Sequence, residues 1–229
     1  MKTLVVLAII IIAVTPAIII LRKVIPASIK SRKKLKEIFD QIAVKIGGIT
    51  KTSFLSLPGV EGNYKGIPVK IIYNSGGENN PPYFKITFSK KPPFILTLYE
   101  ENPLTRFGKK FGLVKEVVLN VPDFDEKFFI RTNDKMRGTV FLSDYRNRET
   151  ILKLHQQEWR LILGKSAVEV QKTIKTKAME IATNWSKGAT SSLLRALLSQ
   201  VTSPDLFQTE LITPDEVVFV LESLYQLRY

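Results

Sequence analysis

The chain has no cysteine and a single histidine, His155, among 229 residues. The first absence excludes a disulfide framework and fits a reducing compartment. Together the two exclude a zinc site built from Cys and His. Equally missing are the G-x-S-x-G nucleophile elbow, the Walker loop and the Rossmann fingerprint, so no familiar catalytic scaffold announces itself. There is no helix-turn-helix, zinc or RNA-recognition signature either, and nucleic acid is not the expected partner despite a net charge of +13. No cofactor and no metal are expected.

Acidic residues are scarce at the start of the chain. Residues 1–50 carry nine Lys and Arg against two acids, whereas residues 201–229 carry one against five. Within the first stretch, Thr3 to Leu21 is nineteen residues without a charge. At 1.5 Å per residue a helix of that length covers about 28 Å, close to the hydrocarbon thickness of a bilayer. A cleaved secretory signal has a shorter apolar core and a small-x-small cleavage site, and neither is found here. Residues 1–24 therefore read as a retained transmembrane anchor, in which Pro16 is tolerable. Arg22, Lys23, Lys30, Arg32, Lys33, Lys34 and Lys36 follow the span, while Lys2 alone precedes it. Lysine and arginine beside a span stay on the cytoplasmic side, so the N-terminus is expected outside and residues 22–229 in the cytoplasm. The same cations are attracted to anionic lipid by about 1 kcal/mol each near the surface.

Residues 25–50 form a second unit. From Ser28 to Ile46, Leu35, Ile38, Phe39, Ile42 and Ile46 recur at three- and four-residue spacing, the mark of an amphipathic helix, and Gly47-Gly48 stops it. The stripe suits packing on the domain that follows; a short coiled-coil seam between two anchored chains is the alternative.

Residues 51–229 read as a single α+β domain, a mostly antiparallel sheet with helices packed on it. Val60–Tyr64 and Ile67–Tyr73 flank Lys65-Gly66, a two-residue hairpin turn. In Tyr83–Phe88 the residues Phe84, Ile86 and Phe88 alternate with polar ones, as a sheet with one wet face requires. Phe94–Tyr99, Lys115–Val121 and Lys127–Thr132 are further strands. The connections are too short for parallel crossovers. Asp134 caps a short helix, Arg146–Trp159 makes a longer one with Ile151, Leu152, His155 and Trp159 on one face, and 160–163 with 167–170 form a hairpin around Gly164-Lys165. Thr213, Pro214, Asp215 and Glu216 open a last helix, continued by Val218, Leu221, Leu224, Tyr225 and Arg228.

Between the hairpin and that last helix, residues 172–202 carry two apolar helical stripes, expected as an inserted helical hairpin. It either forms a packed layer or lies in the membrane interface, with Lys172, Lys175, Lys177 and Trp185 at the lipid headgroups. The most site-like segment is the loop 102–112. There Arg106, Lys109 and Lys110 stand among glycines and phenylalanines, fit to meet a lipid phosphate or an acidic partner. Asp123, Asp125 and Glu126 crowd together, and such loop acids either cap a turn or serve carboxylate chemistry. His155 reads as a packing residue rather than a base.

Two segments, Gly62-Asn-Tyr-Lys-Gly-Ile-Pro-Val-Lys70 and Asp123-Phe-Asp-Glu-Lys-Phe-Phe-Ile-Arg-Thr-Asn-Asp134, resemble a loosely defined group of uncharacterised bacterial membrane-anchored proteins. In that group a G-x-Y-x-G-x-x-V hairpin and an F-D-x-x-F-x-[IV]-[RKS] segment precede a helix and a β-hairpin. The resemblance covers about residues 55–170 plus the last helix and leaves 172–212 as a departure. It implies a bacterial single-pass protein and lends no catalytic residue. The expected function is a membrane-tethered, cytoplasmic, non-enzymatic scaffold that binds a protein partner. The alternative is a lipid-binding module using the loop 106–112 and the hairpin 172–201 on anionic lipid, and an enzyme around the three acids comes third.

Overall fold

The computed structural model describes residues 32–52, 57–76, 81–100, 117–174 and 212–229. Among them no helix is long and apolar enough to cross a membrane. The expected anchor, with Arg22, Lys23 and Lys30, lies outside the described residues.

Residues 32–46 form helix α1. Its stripe of Leu35, Phe39, Ile42, Ala43 and Ile46 is buried in the same core as the sheet, with Ile38 half-buried beside it. Glycine ends the helix as anticipated. Gly47 takes φ +63°, and the Gly48 amide donates back to the Ala43 carbonyl at 2.8 Å.

Eight strands follow: β1 Ile49–Lys51, β2 Gly59–Tyr64, β3 Ile67–Asn74, β4 Tyr83–Phe88, β5 Leu96–Glu100, β6 Phe128–Thr132, β7 Trp159–Leu163 and β8 Val168–Thr173. They form one sheet in the order β1-β2-β3-β4-β8-β7-β5-β6, every pair antiparallel. The β7–β8 hairpin is thus inserted between β4 and β5, which never touch although they are neighbours in sequence. Between β2 and β3, Lys65 and Gly66 take φ +51° and +82°, the left-handed pair of a type I′ turn.

Alternation assigns the two faces. Val69, Ile71, Phe84, Ile86, Phe88, Leu96, Leu98, Ile130, Leu161, Leu163, Val168 and Val170 are buried on one side. Lys70, Lys85, Glu169, Arg160 and Arg131 stand on the other. The buried side is covered by α1 and by α5, Pro214–Gln226, whose Val217, Val220, Leu221 and Leu224 are buried. Helix α4, Tyr145–Gln156, adds Ile151 and Leu154. It follows α3, Lys135–Ser143, which is capped by Asp134. One short turn, α2 Pro122–Asp125, precedes β6.

Three expectations are corrected. Residues 117–121 are no strand: Asn120 turns to φ +59°, and the Asp125 carboxylate takes the amides of Leu119 and Val121 at 3.1–3.3 Å, leaving the Val117 amide to meet β6 at Ile130. Helix α4 ends at Gln156, and Trp159 begins β7 instead of ending the helix. The last helix stops at Gln226, so Arg228 lies beyond it.

The link from α1 to β1 crosses β2 at a glycine pair. A Cβ on Gly48 would sit 2.8 Å from the Glu61 carbonyl oxygen, and one on Gly62 2.8 Å from the Gly48 Cα. Neither neighbour is a side chain that can swing away. Gly62→Ala, which in an ordinary strand gains stability, is therefore expected to cost about 1–3 kcal/mol from overpacking. Urea unfolding of the two proteins measures the difference, and a stabilised variant would refute the close crossing.

Strand direction also sorts the connections. β1, β3, β5 and β8 run one way, and their C-terminal ends, Lys51, Asn74, Glu100 and Thr173, lie at one end of the sheet. The turns at 65–66, 89–95 and 164–167 lie at the other, where Lys90 Nζ donates to the Leu227 carbonyl and holds the chain's last residues.

Candidate functional site

At that second end, α4, α5 and the turn after β4 leave an open groove of about 1020 Å³. Three tyrosines and a set of cations line it. Tyr145, at the start of α4, is 61% exposed; Tyr225 and Tyr229 are each 42% exposed. Each tyrosine carries a cation: Arg146 lies 5.8 Å from the Tyr145 ring, Lys65 4.6 Å from Tyr225, and Lys90 4.7 Å from Tyr229. Such contacts draw a cation toward the face of an aromatic ring.

The rim is fixed by hydrogen bonds. Asn147, fully buried on α4, donates to the carbonyls of Phe141 and Arg228 at 2.9 Å and accepts from the Arg228 amide at 3.1 Å. Tyr229 then stacks on Phe141, centroids 5.8 Å apart. On the far wall, Glu222 of α5 accepts from Tyr64 Oη at 2.8 Å and from Lys65. Those two donors, Lys65 first, hold its carboxyl below the usual range. Burial lowers the Lys90 ammonium. The groove also contains Glu149, paired with Lys153 at 2.7 Å. Lys90, Arg146 and Arg228, by contrast, form no salt bridge among the described residues.

The residues singled out from sequence fall elsewhere. Arg106, Lys109, Lys110, Lys175, Lys177 and Trp185 lie outside the described residues. Arg32, Lys33, Lys34 and Lys36 are exposed on the first turns of α1, Lys36 bonded to Asp40 at 2.6 Å. Lys172 is not on a helix. It stands in β8, where its ammonium meets Glu216 Oε1 at 2.7 Å, the same oxygen that accepts from Trp159 Nε1 at 2.8 Å. The apolar helical stripe read from residue 172 onward therefore does not begin there.

Asp125 accepts backbone amides, the turn-capping contact expected of such a loop acid. His155 packs edge-on against Phe128, centroids 4.9 Å apart, with Nδ1 3.7 Å from Glu100. Both line a smaller cleft of about 480 Å³ at the first end of the sheet, together with Tyr99, Trp159 and Arg160. Among the described residues no three His, Asp or Glu side chains converge as metal ligands.

No family model, curated protein or solved structure matches the chain. The groove was hidden from sequence reading because its residues come from four separated stretches, near 65, 90, 145–153 and 222–229. The local signals were Tyr145 beside Arg146, and Tyr225 followed by Arg228 and Tyr229.

Glu158, just past the end of α4, takes the left-handed region, φ +63°, a conformation usually given to glycine where helices stop this way. Relieving that conformation with Glu158→Gly is expected to raise stability by about 0.5–1 kcal/mol, read as a higher Tm. A fall in Tm would show that the carboxylate's own contacts outweigh the backbone strain.

Proposed function

We propose that this chain is a membrane-tethered, cytoplasmic, non-enzymatic scaffold, one of the bacterial single-pass group it resembles, which binds a partner protein through the groove between α4 and α5. The groove's composition carries the reading: exposed tyrosines and arginines are the residues enriched where proteins meet and where most binding energy concentrates. The uncharged run Thr3–Leu21 and the cations after it support the tether. The test is a mild-detergent pull-down of the full-length protein from its native membrane. A stoichiometric partner is expected with the unaltered chain and lost with Tyr225→Ala/Arg228→Ala. Retention of that partner by this variant, with loss in Arg106→Ser/Lys109→Ser/Lys110→Ser, would move the docking site to the basic loop. Digestion of the domain by protease added outside intact cells would overturn the cytoplasmic placement.

A second reading, a lipid-binding module, is favoured by the sheet order. β5 and β8 have only β7 between them and end on the same side, at Glu100 and Thr173, the residues that precede in sequence the stretches carrying Arg106–Lys110 and Lys175–Trp185. With the protein in nanodiscs, this reading expects those lysines to be shielded from an amine-reactive label on anionic lipid but not on neutral lipid, and expects salt to abolish the difference.

A further inference from the structure

We infer that the groove between α4 and α5 takes an acidic peptide segment of the partner, its carboxylates seated on Lys90, Arg146 and Arg228; this rests on the scaffold reading. Three features of the site point to that chemistry. The first is charge. Lys65 and Lys153 are already neutralised by Glu222 and Glu149, whereas Lys90, Arg146 and Arg228 have no salt-bridge partner among the described residues. An interface that desolvates three cations without salt-bridge partners is favoured by matching anions from the other side.

The second is shape. About 1020 Å³ of open groove between two helices is far more than a single phosphate or carboxylate fills, and it suits a stretch of chain. The three tyrosines, each beside a cation, supply rigid rings for the apolar side chains of such a stretch. The third separates a peptide from a nucleic acid. Glu149 and Glu222 stand in the same groove, and an evenly charged phosphate chain would have to run past both. A peptide can space its carboxylates to avoid them. Lys90 adds selectivity, since its partial burial already disfavours the bare ammonium and a carboxylate would restore it.

The experiment uses the full-length protein in neutral-lipid nanodiscs and three fluorescent probes of equal length: a peptide alternating Glu and Leu, its Gln-for-Glu counterpart, and oligo-uridine. The Glu peptide is expected to bind best and to weaken with salt. Its affinity should fall about tenfold in Lys90→Gln/Arg146→Gln/Arg228→Gln, while Arg106→Ser/Lys109→Ser/Lys110→Ser leaves it unchanged. Equal binding of the Gln peptide, tighter binding of oligo-uridine, or no effect of the triple Gln variant would overturn the inference. Should the triple variant fail to fold, a photo-cross-linker at Tyr225 of the otherwise unaltered chain, used in native membranes, decides the matter. A cross-linked partner segment rich in Asp and Glu supports the acidic peptide. A cross-linked segment without them refutes the acidic chemistry and leaves the scaffold standing. No cross-linked protein at all defeats both.

Discussion

Phe39→Ala is expected to lower the stability of the whole domain by about 3–5 kcal/mol, although the residue sits only eighteen positions after the uncharged run that ends at Leu21. Phe39 is 0% exposed, and its ring meets the edge of Phe84 at 6.1 Å and 87°. Phe84 in turn leans on Tyr73 at 5.2 Å. Truncation removes the transfer energy of a buried ring, opens a cavity beneath α1 and breaks one end of a three-ring chain, worth about 0.5–1.5 kcal/mol per pair beyond burial. Val44, five positions along the same helix and 83% exposed, supplies the control: Val44→Ala should stay within about 0.5 kcal/mol. Urea unfolding of the full-length protein in detergent, followed by tryptophan fluorescence, measures both. If Phe39→Ala cost less than Val44→Ala, α1 would not be docked on the sheet. The functional consequence is mechanical: the helix that follows the proposed anchor in sequence belongs to the core of the domain.

Local pattern made much of this architecture readable, and long-range pairing made the rest opaque. The stripe Leu35, Phe39, Ile42, Ile46 has one periodicity and one stop signal, Gly47, so both the helix and its buried side follow from the chain. The hairpin at Lys65-Gly66 is readable for the same reason: its turn chemistry is contained in two residues. Of the glycines of that hairpin, Gly66 has a local cause in its positive φ, whereas Gly62 has a long-range one in the crossing beneath Gly48. Lys115–Val121 misled because Val-Val-Leu-Asn-Val has strand composition, while the decisive partner, the Asp125 carboxylate, captures the amides that a strand needs. Trp159 misled because its spacing from His155 continues a helical face. Nothing local shows that Glu158 reverses the backbone there. The placement of β7–β8 between β4 and β5 has no local signal at all, since any antiparallel order satisfies the same alternation. The groove suffers from this too, because its lining residues, far apart in sequence, share one wall only in the folded sheet and helices.

The second large effect is expected at Glu216, the acid that joins β7, β8 and α5. Its Oε1 accepts from both Trp159 Nε1 and Lys172 Nζ, and the side chains of Lys172 and Glu216 are each only 17% exposed. Glu216→Leu leaves an ammonium and an indole N–H without their acceptor in a largely dry place, which should cost about 2–4 kcal/mol, somewhat less than a fully buried pair because some water still reaches the site. Lys172→Met is expected to cost less, about 1 kcal/mol, because the remaining carboxylate keeps the Trp159 bond and sits in the first turn of α5, where the helix dipole favours negative charge. The double variant should therefore be more stable than Glu216→Leu alone, with a coupling of about 1–3 kcal/mol in a double-mutant cycle. Such coupling would identify Lys172 as an internal strut tying β8 to α5. Additive costs, together with a change in lipid contact on replacing Lys172 alone, would restore it to the membrane surface and move the lipid-binding reading ahead of the scaffold.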